Sequence, residues 1–245
     1  MRVLVTIIGL GMCVSVSPSY AQSSDGLQFT VAPYMVAPWM TGEVGLRGRD
    51  VSVDSGPKDI FENLEVGIMG YFEVRKAGWA FAFDGLYMNL KKEATLDTAL
   101  GPAGAELTIS QGAYELTGAR TLAPWADLVF GVRINRIDGS FRTLLTQIER
   151  ENTQTWVDPV IGTQLVVPDT GRWRVALRAD VGGFGAGSDF AWQLFPSVGF
   201  DVVDWFGLTG GYRALSTNYH TGEGTDAFRY DMTTHGPFMG AAFRF

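Results

Sequence analysis

Between Phe190 and Val202 every second residue is apolar: Phe190, Trp192, Leu194, Pro196, Val198, Phe200 and Val202, with Gln193, Ser197 and Asp201 between them. A period of two marks a strand with one apolar face. The pattern recurs along the chain. Leu64, Val66, Ile68, Gly70, Phe72 and Val74 oppose Glu65, Tyr71, Glu73 and Arg75; Trp79, Phe81, Phe83, Gly85 and Tyr87 oppose Asp84. Leu128, Phe130, Val132 and Ile134 oppose Asp127, Arg133 and Asn135; Val157, Pro159, Ile161 and Leu165 oppose Asp158 and Gln164. Trp173, Val175, Leu177, Ala179 and Val181 oppose Arg174, Arg178 and Asp180; Phe206, Leu208 and Tyr212 oppose Thr209 and Arg213. Over Glu106 to Arg120 the phase is ambiguous, and we place Tyr114 and Leu116 outside, with Gln111, Glu115 and Thr117 inside. The final stretch sets Met239, Ala241, Phe243 and Phe245 against Phe238, Gly240, Ala242 and Arg244.

None of these apolar columns contains a charge. One such column on nearly every strand overfills the core of a sandwich, which is fed from only one face of each sheet. A soluble sandwich or secreted barrel, the competing reading, would bury the aromatic columns and need no aromatic girdle. A membrane β-barrel requires this pattern, with apolar groups outward and polar or small groups inward. Shifting a strand by one residue would put Arg178, Asp180 or Arg213 into lipid, where a midplane Arg or Lys costs about 2–4 kcal/mol. The expected fold is therefore an all-β transmembrane antiparallel up-and-down barrel.

Connection lengths set its direction and strand count. Short turns fall at Lys76 to Gly78, Ala123-Pro124, Asp169 to Arg172 and Val203 to Trp205; longer polar loops are expected at Lys91 to Gly104, Gly139 to Asn152 and Thr217 to Thr225. Outer-membrane barrels have short periplasmic turns and longer outside loops. Counting back from the C-terminus gives about ten strands, with twelve as the alternative. The uncertainty lies in the first strand, Leu27 to about Arg49, which contains Pro33 and Pro38 and is expected to be bent or split. Gly56-Pro57 then suits the start of a single helical turn. Trp79, Trp125, Trp173 and Trp205 sit at the short turns, although Trp125 and Trp205 are out of phase with their columns. The girdle assigned is Trp79, Trp173, Phe206, Phe243 and Phe245.

At the N-terminus, Arg2 precedes the apolar run Val3 to Val16 and then Ser19-Tyr20-Ala21. This is the layout of a secretory signal peptide cut after Ala21, leaving residues 22–245 as one barrel domain. Cys13, the chain's single cysteine, lies in that leader, so the mature chain has no disulfide, thiol chemistry or cysteine metal site. Removing Arg2 takes the formal charge from −7 to −8, and no basic block suggests nucleic acid. No later apolar run is long enough for a membrane helix, so a membrane protein of this profile must be a barrel.

Glu73, Asp84, Glu115, Arg133, Asp158, Arg178, Asp180 and Arg213 are all expected to point into the lumen. They suit a charge-paired polar core that satisfies its own groups where water is scarce, or a selectivity ring along a solute path. Nothing in the spacing singles out a carboxylate pair for acid–base work. His220 and His235 are placed in or near the last outside loop, with Asp226 and Asp231 between them. Surface histidines explain them better than a membrane hydrolase site, and no catalytic residue, cofactor or metal is assigned. Gly182 to Gly187 lacks the Lys-Ser/Thr of a phosphate loop and reads as a strand end with a tight turn.

Several segments carry a resemblance: Phe83 to Met88, Trp156 to Gly162, Asp180 to Gly185 with Ser188-Asp189 and Trp192-Gln193, Gly211-Tyr212-Arg213, and the Gly-Pro to Phe end. Together they resemble a group of uncharacterised outer-membrane β-barrel proteins of Gram-negative bacteria, broadly similar to OmpA-like and porin-like small barrels. The terminal strand ending in Phe245 also resembles the signal by which such barrels are recognised for assembly. The resemblance implies a bacterial outer-membrane location, with membrane lipid or lipopolysaccharide and the barrel-assembly machinery as partners. It carries no agreed activity. The function expected is a structural or interaction barrel with a narrow charge-paired lumen; a passive porin-like channel for small solutes is the alternative, and a hydrolase is third.

Overall fold

The computed structural model describes residues 26–46, 49–98, 101–143, 149–168 and 171–245. The leader, Cys13 and the cut after Ala21 lie outside the described residues. The alternating stretches form strands β1 (Gln28–Val36), β2 (Trp39–Leu46) and β3 (Arg49–Ser55), a short helix α1 (Pro57–Asn63), then β4 (Leu64–Lys76), β5 (Trp79–Thr98), β6 (Gly101–Ala123) and β7 (Ala126–Thr143). Strands β8 (Glu149–Val166), β9 (Trp173–Gly182), β10 (Phe190–Val203), β11 (Phe206–Thr221) and β12 (Phe228–Arg244) complete the chain, with a 3-10 turn at Gly224–Asp226.

From β4 to β12 each strand pairs antiparallel with the next, and β1 pairs with both β4 and β12. Ten strands, β1 and β4 through β12, thus close a ring. Closure satisfies the backbone internally, which a bilayer demands because it offers no water to bond exposed N–H and C=O groups. The remaining two strands come from the first expected strand. Pro38 interrupts it, but the Ala37 N–H still donates to Pro237 O at 2.9 Å, so β2 carries on along β12 from Trp39↔His235 to Leu46↔Phe228. Strand β3 then folds back on β2. Ten strands by closure and twelve by count are therefore the same molecule.

The two-residue turn at Ala77-Gly78 has φ of 50° and 74°, as a tight hairpin twisted to match its strands requires. Gly56 caps α1, Pro57 supplies a fixed φ at its first turn, and the Asp59 carboxylate accepts the Gly56 N–H at 3.3 Å.

The expected outside loops are a correction. Strands β5 and β6 run 20 and 23 residues and β7 and β8 run 18 each, through most of 91–104 and 139–152. Strand β11 likewise reaches Thr221, through the start of 217–225. Beyond the membrane no lipid penalises a polar side chain on either face, so a ladder continues without apolar alternation. A span needs roughly 9–11 residues, and β9 has 10. Strands β5 to β8 therefore stand well above the bilayer as a tall sheet on one side of the barrel.

Facing follows parity on every strand. Phe81, Phe83, Leu116, Phe130, Ile161, Val198, Leu208 and Met239 are exposed on the lipid side, while Asp84, Glu115, Arg133, Asp158, Asp180, Gln193 and Arg213 are buried inside. Apolar surface belongs outside here because the solvent there is hydrocarbon. The aromatic belt at the short-turn end includes exposed Trp79, Trp125, Trp173 and Phe245, with Trp205 packed against Phe206 and Phe243.

Candidate functional site

The barrel interior is organised in layers from the short-turn end upward. Lowest are two ion clusters. Arg75 reaches Asp127 at 2.9 Å and Glu73 at 3.3 Å, and the Tyr71 hydroxyl donates to Glu73 at 2.7 Å. Across the lumen, Asp201 accepts from Arg174 at 2.7 Å and from Arg244 at 2.5 Å.

Above them lies one continuous network. Arg133 Nε donates to Glu115 at 2.9 Å and its Nη2 to Asp180 at 2.7 Å; Arg178 bonds the same two carboxylates at 2.6 and 3.0 Å. Arg213 reaches Asp84 at 2.9 Å and Glu115 at 3.2 Å. Two neutral groups tie the ends. The Tyr34 hydroxyl donates to Asp84 at 3.0 Å and accepts from Arg213 at 2.8 Å; Gln193 donates to Asp180 at 3.0 Å and accepts from Arg213 Nε at 2.9 Å. Three arginines face three carboxylates, so the layer is neutral. It joins β1, β5, β6, β7, β9, β10 and β11, seven of the ten ring strands. Phe195 lies beneath the Arg213 guanidinium, 5.3 Å from ring centre to Cζ.

Asp158 stands apart from that network. Wholly buried, it accepts from the Ser188 N–H at 2.6 Å, the Ser188 hydroxyl at 2.8 Å and Asn135 Nδ2 at 3.1 Å. Ser188 in turn accepts from Trp156 Nε1 at 2.9 Å. The turn carrying Ser188 tucks in because residue 187 is glycine: a Cβ there would stand 2.3 Å from Val157 O and 2.6 Å from Asp158 Oδ1.

The top layer is apolar. Trp156, Phe228, Tyr230 and Met232 are buried together inside the barrel, with Met40, Val44, Val53, Ile137 and Tyr219 packed on them. Trp156 stacks on Tyr219 at 4.2 Å, and Gln111 donates to the Tyr230 hydroxyl at 3.0 Å. A cavity of about 10 Å³, room for one water, remains at its edge among Gln111, Asn135, Trp156 and Thr217.

Of the eight lumen residues singled out from sequence, six meet in the central network. Glu73 belongs to the lower cluster and Asp158 to the Ser188 cradle. Tyr34, Gln193 and Ser188 were not singled out. Tyr34 lies next to Pro33 in the broken strand, and Ser188 lies in a turn, where no periodicity exists; Gln193 shared the inward parity of Asp201 and could have been found. The two histidines do not share a site: His220 lies near the last loop, one residue from the end of β11, whereas His235 lies within β12. His220, in β11, bonds Asp189 at 2.6 Å, whereas His235, in β12, bonds the Tyr212 hydroxyl at 2.5 Å and stacks on Trp39 on the outer surface. Among the described residues no cluster of three or more His, Cys, Asp or Glu has a metal-holding arrangement.

A closed antiparallel ring with an uncharged outer belt, an aromatic rim and a polar interior defines a transmembrane β-barrel of the Gram-negative outer-membrane class. No protein-family model matches the chain, and no curated protein matches it in sequence. Among solved structures it is similar to Ail, the attachment invasion locus protein of Yersinia pestis, in complex with the heparin analogue sucrose octasulfate: 8% identity, 90% of this chain and 99% of that one covered, TM-score 0.44. It is also similar to the outer membrane protease OmpT of Escherichia coli, at 11% identity, 92% and 99% coverage and TM-score 0.42. The Pseudomonas putida toluene transporter TodX aligns at 10% identity, 90% coverage of each chain and TM-score 0.36.

Proposed function

We propose that this protein is a non-conducting outer-membrane barrel whose role is structural or interactive at the cell surface. The observation that carries the reading is the neutral arginine–carboxylate layer, which with Tyr34 and Gln193 laces seven ring strands together across the lumen. Its charges are occupied with one another, so an ion entering would have to break a buried pair to pass. The tall sheet of β5 to β8 supports the surface role, because it projects backbone and side chains beyond the bilayer where a partner can reach them. The partners proposed are lipid or lipopolysaccharide around the belt and the assembly machinery acting on β12.

Planar-bilayer recording of the refolded protein tests this. Wild type is expected to give no steady conductance, and Arg178→Ala or Arg213→Ala to give openings by vacating volume and unpairing carboxylates. Large, stable wild-type channels would instead support the small-solute porin reading. Export through a leader cut after Ala21 belongs to the same proposal. Intact mass from outer membranes should begin at Gln22, and a full-length mass there would reject it.

A further inference from the structure

The ring has one irregular seam. Strand β1 pairs with β4 from Gln28↔Arg75 to Pro33↔Gly70, and there the ladder stops. The cause is not the missing N–H of Pro33: Phe29 and Ala37 bond β12, so the Pro33 nitrogen also faces β12, and its gap falls in that ladder between Val31 and Tyr34. Beyond Pro33, β1 and β2 follow β12, while Leu64 to Met69 of β4 pair, among the described residues, with β5 alone. The N–H of Val36, on the β4 side of its strand, donates not to a carbonyl but to Met69 Sδ at 3.4 Å. From Glu65 to Ile68 both faces of β4 are exposed.

The depth of this seam makes it unusual. Met69 pairs with Leu86, seven residues above Trp79 of the girdle. At about 3.3 Å per residue and a tilt near 40° that is about 18 Å up, within the outer half of an apolar band about 25 Å tall. Irregular backbone at membrane depth persists only where it is covered by protein or lines a cavity. Here α1 leads directly into the outer end of β4 and packs against β5, with Ile60 3% exposed.

The surface around the seam is apolar and continuous with the lipid-facing belt. Met35 is 59% exposed on β1, Ile68 67% on β4, and Val66 and Phe61 are exposed above them. Inside, at the same height, Val36 and Met88 are buried and lead to the apolar layer of Met40, Ile137, Trp156 and Met232. Below that layer the charge network closes the lumen. We propose that the seam is a lateral entry through which the acyl chain of an outer-leaflet lipid inserts into the apolar layer and is held there, barred from the periplasm by the network. This goes beyond the proposed closed barrel and rests on it only for the closed floor. With so little free space inside, entry displaces side chains, and unbranched Met40, Met88 and Met232 can rearrange at low cost. A second copy pairing on β4 is disfavoured because the free edge is only six residues long, Leu64 to Met69.

The test uses the full mature chain, folded into vesicles of phosphatidylethanolamine and phosphatidylglycerol with an alkyne tag on the acyl chain. Met88 or Ile137 is replaced by p-benzoylphenylalanine, with Tyr71, level with Asp84 of the network and bonded to Glu73 of the lower cluster, as the control position, and heat-modifiable gel migration verifies folding. Irradiation should give lipid adducts at Met88 or Ile137 at least tenfold above those at Tyr71. Two inward positions keep the test decisive if one variant misfolds. Adducts at neither position, or only to a second copy of the chain, would overturn the proposal. Equal adducts at Tyr71 would show that the floor is open, which counts against the closed-barrel reading separately. Because residues 22–245 contain no cysteine, a Met35→Cys/Ile68→Cys pair can then be oxidised across the seam, or Ile68→Cys alone blocked with a bulky maleimide. Either should abolish the lipid adduct; an adduct that survives blocking means entry from the mouth and refutes the lateral route.

Discussion

Replacing Arg213 with Met removes its charge from the centre of the lumen while keeping most of its volume. Two ion pairs at 2.9 and 3.2 Å disappear, along with the bond to Gln193. At an effective dielectric of 20, opposite charges about 3 Å apart attract by about 5 kcal/mol before desolvation is counted. Glu115 retains Arg133 and Arg178, but among the described residues Asp84 retains only the Tyr34 hydroxyl. The substitution therefore leaves a buried, unpaired carboxylate, which typically costs about 3–5 kcal/mol. Neutralising Asp84 as well removes that penalty. Arg213→Met/Asp84→Asn should thus be no less stable than Arg213→Met alone, with a coupling of at least about 2 kcal/mol relative to the sum of the single changes. Equilibrium urea unfolding in phospholipid vesicles, followed by tryptophan fluorescence, gives all four corners of the cycle. If the two single costs add to within about 0.5 kcal/mol, Asp84 and Arg213 do not sense each other's charge and the network argument fails.

Facing is testable by lysine substitution: at Leu177, Val198 or Leu208 it should cost about 2–4 kcal/mol of folding into bilayers, and at Ala176, Ser197 or Thr209 distinctly less. Equal losses in the two sets would contradict the strand phases. Above the membrane, Asp138 accepts from Arg136 at 2.8 and 2.9 Å and from Thr153 at 2.6 Å, and the Arg136 hydrogen bonds hold its carboxyl below the ordinary range. A lowered value means the contribution is complete above the unfolded value of about 3.9 and fades as pH falls through the folded one. Carboxyl carbon NMR titration should show Asp138 moving back up in Arg136→Gln, and an unchanged midpoint would remove the arginine as the cause.

Much of this barrel is legible in one dimension because its solvent outside is lipid. Hydrocarbon penalises a charge so steeply that Arg178, Asp180 and Arg213 set the parity of their strands, and parity alone places the central charged groups inside. Turn residues at Ala77-Gly78 and Gly171 mark the short end, and Pro38 marks the break between β1 and β2. Where lipid stops, so does that information. The long upper reaches of β5 to β8 look like loops in sequence because water tolerates either face, and only strand pairing shows that they continue as a sheet. Which inward residues meet was likewise beyond the sequence. Tyr34, Asp84 and Arg213 converge from strands 50 and 129 residues apart, a match set by the tilt and stagger with which the ring closes. Ser188 reaches Asp158 from a turn, where parity has no meaning. The seam belongs to the same class: Pro33 marks a gap in the ladder to β12, but only the closed ring reveals that β1 also parts from β4 above Gly70, at membrane depth, and that α1 leads directly into the free end of β4.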